Sequence, residues 1–171
     1  MAGAGRKASE DDAVPTRIGQ AVMLHRGGDR EEARNRLAEL WRELHDGGDG
    51  GDPLHRCTLA HYIADTQDDP ADELMWDLLA LAAADRIAGV DRRPAATKVR
   101  AFYPSLHLNL AADYAKLGQR EAARGQLALA RATAQGLACG PYDDGVRAAI
   151  GRLALRLGAA GGRPPGGGPP G

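Results

Sequence analysis

His55, Cys57, His61 and Asp65 gather two imidazoles, a thiol and a carboxylate into one short stretch of the chain. On a helix Cys57 and His61, four residues apart, share a face, and Asp65 follows one turn further on. These are zinc-compatible ligands, and a thiol beside an imidazole is also the pairing that activates a cysteine nucleophile. Each chemistry needs a second element. Structural zinc sites take ligands from two elements carrying tight C-x-x-C or H-x-x-x-H pairs, and no second pair occurs in this sequence. No local signature of a cysteine hydrolase surrounds Cys57. The expectation is a thiol and an imidazole on a helix face, with no metal and no cofactor.

The run Gly47-Gly48-Asp49-Gly50-Gly51-Asp52-Pro53-Leu54-His55 matches one copy of a calcium-binding nonapeptide. That site forms between successive turns of a repeat array, so a single copy makes only a loop. It also lacks the alternating ligands and closing Glu of an EF-hand. Serine-hydrolase, zinc-protease, phosphate-loop and dinucleotide fingerprints are absent, and no enzymatic activity is expected.

Formal net charge is -1 over 171 residues, which provides no global field to attract nucleic acid or an anionic membrane. The basic stretch Arg86, Arg92, Arg93, Lys98 and Arg100 has few aromatics and reads as a solvated connection. The acidic stretch Asp65, Asp68, Asp69, Asp72, Glu73 and Asp77 favours, in its early part, the positive N-terminus of a helix opening at Pro70. Neither nucleic acid nor a membrane is expected as a partner. No apolar run approaches the about 20 residues of a membrane span, and Glu10-Asp11-Asp12 stands where a signal peptide would be apolar. A cytoplasmic location follows, with Cys57 and Cys139 as reduced thiols. Arginine far outnumbers lysine, and with abundant Ala, Gly and Asp this suggests a GC-rich bacterial genome.

The elements that would carry these residues are all helical. Apolar spacing, caps and breakers predict helices over about Thr16–Arg26, Asp29–His45, Pro53–Thr66, Pro70–Ala88, Pro104–Gly118, Arg120–Gly136 and Tyr142–Leu157. The second has Ala33, Leu37, Leu40, Trp41 and Leu44 on one stripe, and the last has Val146, Ile150, Leu153 and Leu157. With aromatics at 4%, the core must be built from leucine set into alanine. Residues 1–15 are expected to form a flexible arm, 16–157 one helical domain, and 158–171 a disordered Gly/Pro tail.

A pattern recurs along that domain. Leu110-Ala111-x-x-Tyr114 is followed by Ala123-x-x-x-Leu127; Gln20-Ala21-x-x-Leu24 by Ala33-x-x-x-Leu37; and Leu59-Ala60-x-x-Ile63 by Leu74-x-x-x-Leu78. Gly118 and Gly28 fall in the turns of the third and first copies. The pattern resembles the tetratricopeptide repeat family, in which a large-small pair in one helix meets a small residue four before a large one in the next. Arg17, Arg56 and His107 stand where the family has a leading Trp, the closing Pro near Gln135 is absent, and the copies are spaced more widely than the usual about 34 residues.

The resemblance implies an all-α stack of three antiparallel hairpins with a capping seventh helix, and Ala21, Ala60 and Ala111 facing the partner helix of their own pair. It also implies a non-catalytic module that binds a protein or peptide on a concave face made by the first helix of each pair. Aligned there are Ile18, Val22, His25 and Arg26 from the first copy, Cys57, His61 and Asp65 from the second, and Leu108, Ala112 and Lys116 from the third. The lysines of the carboxylate clamp known in some members are missing from the first copy. The alternative is a self-associating module, a homodimer joined through an exposed apolar edge of the stack.

Overall fold

Short turns fold successive helices back on one another. The computed structural model describes residues 3–46, 52–90, 99–137 and 140–159, and all regular structure among them is helical. The helices are α1 (Gly3–Arg26), α2 (Arg30–Asp46), α3 (Pro53–Ala64), α4 (Pro70–Val90), α5 (Tyr103–Lys116), α6 (Arg120–Ala134) and α7 (Pro141–Ala159). Most of the glycine-dense loop, much of the connection before α5, Cys139 and the tail beyond Ala159 lie outside the described residues.

Two turns show why the glycines stand where they do. Gly28 and Gly118 take positive φ, 94° and 73°, a region open to glycine and costly for side chains with a Cβ. Gly28 N–H donates to His25 O and Asp29 N–H to Leu24 O. Gly118 N–H donates to Ala115 O and Gln119 N–H to Tyr114 O, which repeats the first turn bond for bond. Both are Schellman closures that satisfy the last carbonyls of a helix.

The middle turn has no glycine and uses side chains instead. Thr66, buried there, donates its hydroxyl to Ile63 O, and two arginines of α2 reach across to the turn. Arg30 Nε donates to Thr66 O at 3.1 Å and Arg34 Nε to the same oxygen at 2.9 Å. Asp68 then pairs with both guanidiniums. The Thr66 carbonyl, in the turn that follows α3, is thus capped by the preceding hairpin.

Packing follows the alanine pattern. Ala21 lies with Leu37 and Leu40 of α2, Ala60 with Ala80 and Ala84 of α4, and Ala111 with Ala123 and Leu127 of α6. All three alanines are buried. Between hairpins, α3 packs on both α1 and α2, α5 on α4, and α7 on both α5 and α6. Val146, Ile150, Leu153 and Leu157 of α7 close the cluster begun by Ala111.

Positions 17, 56 and 107 hold polar links. Arg17 grips Glu43 of α2 through both guanidinium nitrogens, Arg56 lies over the Trp41 ring at 5.6 Å, and His107 Nδ1 meets Gln126 Oε1 of α6 at 2.8 Å. One boundary needs correction: α1 begins at Gly3, well before Thr16, and carries Pro15 within it. Proline's fixed φ is helical, its cost being one missing hydrogen bond and crowding of the preceding turn. Residues 3–13 contain no β-branched side chain to oppose continuation upstream.

Candidate functional site

The largest opening lies between the first helices of the first two hairpins. A groove of about 1480 Å³ runs along α1 and α3 and ends against Ala101 and Phe102, just ahead of α5. Its apolar lining includes Ile18, Val22, Met23, Leu54, Tyr62 and Phe102. Met23 stands out into solvent, with 67% of its surface exposed. Arg26 lies at the end of α1 that borders the groove, and no ion-pair partner for it occurs among the described residues. Nδ1 of His55, also on the lining, is buried without a hydrogen-bond partner. The groove offers an apolar floor and, in Arg26, a cation without an ion-pair partner among the described residues; Asp29 and Arg36, the latter paired with Glu32, also line it.

A second site is closed and charged. Where α3, α4 and α5 meet, His61 Nδ1 lies 3.5 Å from Asp77 Oδ1, and the Asn109 amide nitrogen lies 3.4 Å from the same ring atom. Asp77 and Asp113 are 0% and 1% exposed. Both Asp77 oxygens and Asp113 Oδ2 lack a conventional donor. Lys116 ties the outer edge, pairing with Glu73 and approaching Asp113 Oδ1 at 3.4 Å.

Two buried carboxyls side by side cannot both ionise cheaply. Burial pushes Asp113 up to about 8, the charges of Asp77 and Glu73 and the hydrogen bond to Asp77 add to this, and Lys116 opposes it. Asp113 is then largely neutral at pH 7. For His61 burial works against the charged ring, but the hydrogen bond to Asp77 and the charges of Asp77 and Asp65 outweigh it, so its pKa rises. Asp65 is raised, by burial first. The cluster sets one imidazole against two buried carboxyls, Asp77 and Asp113. No group of three or more His, Cys, Asp or Glu among the described residues has a geometry that could hold a metal ion.

The ten residues aligned on one concave face fall in four places. Ile18, Val22 and Arg26 line the groove, with His25 partly buried on the same helix. His61, Asp65 and Lys116 belong to the charged cluster. Leu108 and Ala112 line a separate depression of about 500 Å³ between α5 and α7, alongside Arg152 and Leu155. Cys57 is a correction: it lies in the core with Ala60, Ala80 and Leu106, out of reach of any partner. Burial and the charges of Asp77 and Asp85 push its thiol up to about 12, so it is no nucleophile.

Sequence reasoning missed Tyr62 and Phe102 in the groove, and it placed Asp77 in an acidic stretch without singling it out. A signal for Asp77 was present. In Leu74-Met75-Trp76-Asp77-Leu78-Leu79 the acid is flanked by apolar residues on every side, and a helix apolar all round is a buried helix. No protein-family model, curated protein or solved structure matches this chain. No helix among the described residues is long and apolar enough to cross a membrane.

Proposed function

We propose that the chain is a tetratricopeptide-like stack that works as a non-catalytic protein-binding module, and that its α1–α3 groove receives a peptide segment of a partner. The observation that carries this reading is the groove itself. Small-molecule pockets run to about 300–1,000 Å³, and this one, at about 1480 Å³ and open along two helices, exceeds that range. An apolar floor with a cation at one end suits a segment with apolar anchors and an acidic residue placed to meet Arg26. Support for the stack comes from the three alanine seams, the paired Schellman turns, and the packing of α3 and α7 each onto both helices of the hairpin before it. Support for a non-catalytic role comes from the core position of Cys57 and the enclosure of His61.

The test is photo-crosslinking with a reactive residue at position 23 and, separately, at position 124 on exposed α6, in the native lysate. A discrete adduct from position 23 that excess unlabelled protein competes away, and that Val22→Arg abolishes, is the expected result. The same adducts from both positions, or none from position 23, would sink the groove as the binding surface.

A further inference from the structure

Helix α4 is apolar on two opposite faces. Its inner face buries Ala80, Ala84 and Ile87 against the rest of the chain. Its outer face carries Met75, Leu78 and Leu79, exposed by 47%, 42% and 42%. Ala71, Leu74 and Ala82 extend the same line, so the spacing 71, 74/75, 78, 82 makes one continuous seam along the helix. A shallow depression of about 370 Å³ lies on it, lined by Ala71, Leu74, Met75, Leu78 and Leu79. Three of the large apolar side chains most exposed among the described residues stand together here. A helix with this pattern is one whose outer face is also covered.

The charges on the seam say by what. Asp72, Leu79 and Arg86 are seven residues apart in turn, so they stand in line on one edge of α4, acid at the start, base at the end and leucine midway. Asp72 and Arg86 are both exposed, and neither has an ion-pair partner among the described residues. A second α4 laid antiparallel, with a two-fold axis passing at Leu79, keeps this edge on the same side and sets each Asp72 opposite the other copy's Arg86. A parallel two-fold pair would instead put the two edges on opposite sides of the contact and leave Asp72 and Arg86 unpaired with each other. The antiparallel arrangement also opposes the two helix dipoles. Such self-complementarity about a two-fold axis is the signature of an isologous contact.

We propose that the outer face of α4 is the contact surface of a homodimer, two copies crossing antiparallel at Leu79 with reciprocal Asp72–Arg86 pairs. No residue of the seam lines the α1–α3 groove, so dimerisation leaves that groove open in both copies. A single helix pair is small beside the roughly 1,200–2,000 Å² of a standard interface. Dissociation is therefore set in the micromolar range, and mass should depend on concentration.

The test is sedimentation velocity from about 1 to about 200 µM, with helix content followed by circular dichroism. The expected mass moves from the 18.0 kDa monomer toward twice that value. Leu79→Asp should hold the protein monomeric throughout. Asp72→Arg alone and Arg86→Asp alone should each weaken association by about tenfold or more, because each faces like charge with like. The double exchange, Asp72→Arg with Arg86→Asp, should restore it. A monomer at every concentration, a dimer indifferent to Leu79→Asp, or a double exchange no better than the single ones would each overturn the proposal.

Discussion

Asp113 of α5 and Asp77 of α4 are both buried, and burial, with the charges of Asp77 and Glu73 beside it, raises Asp113 to about 8. Stability must then depend on pH in a direction opposite to that of a salt-bridged acid. A group whose folded pKa is raised contributes stability that is full below its unfolded pKa and is lost as pH rises through the folded one. Asp113 loses its contribution between the ordinary Asp range and about 8. His61, also raised, loses its share as pH climbs past the usual imidazole range. Glu43, held down by Arg17, acts the other way and loses its share as pH falls below the usual Glu range. Melting temperature should peak on the acid side of neutrality and decline toward pH 9. Asp113→Asn keeps the shape of the neutral acid and cannot ionise. Its stability should exceed that of the parent at pH 9 by on the order of 2 kcal/mol and match it near pH 5. Parallel pH curves for the two proteins would show that no proton is held at this pair.

Ala111 lies with Ala123 and Leu127 in the third hairpin, fully buried, where the two helices approach over a single methyl group. Ala111→Arg forces a long chain and an unpaired charge into that seam. Overpacking and charge burial together should cost on the order of 3 kcal/mol or more. Ala112→Arg, one residue on and partly exposed, should cost much less. Urea midpoints that fall equally for both variants would remove the seam from the account.

Thr66 O, at the buried end of α3, accepts from both Arg30 and Arg34 of α2. Removing one guanidinium leaves the other in place, so Arg30→Ala and Arg34→Ala should each cost about 1 kcal/mol. The double variant leaves the carbonyl without a charged donor and should lose more than the sum of the two. Strictly additive losses in denaturant titrations would mean that the arginines act on separate groups.

The hairpins were legible because they rest on local chemistry. A glycine after a helix, an alanine opposite a leucine and a proline in a first turn each act within a few residues, and Gly28, Gly118, Ala21 and Ala111 all behave as their neighbours in sequence imply. The functional surface was less legible because it depends on how hairpins sit on one another. Cys57 and His61 share a face of α3, as their spacing requires, but α1, α2 and α4 all pack against that helix. The open part of α3 is instead the line through His55, Thr58 and Tyr62. Leu108 and Ala112 leave the groove because α7 packs against α5 and divides the surface. Asp77 reads as one member of an acidic stretch because its burial depends on α3 and α5 packing over α4. The early start of α1 was hidden by Pro15, which a helix tolerates when little else opposes it.

Val146, Ile150, Leu153 and Leu157 place the apolar stripe of α7 against the third hairpin, and each is buried. Full burial of one such side chain is worth about 1.5–3 kcal/mol, so four of them amount to a large share of the about 5–15 kcal/mol that holds a small domain folded. Ile150→Ala should cost about 2–4 kcal/mol through the lost methyl groups and the cavity left beside Ala111 and Leu127. Ile150→Asp, which buries a charge against the same cluster, should unfold the third hairpin at room temperature. Hydrogen exchange localises the effect: amides of α5 and α6 should lose protection in Ile150→Asp, while those of α1 and α2, which share no core cluster with α7, should keep it. Unchanged protection in α5 and α6 would mean that α7 rests on the stack without closing it.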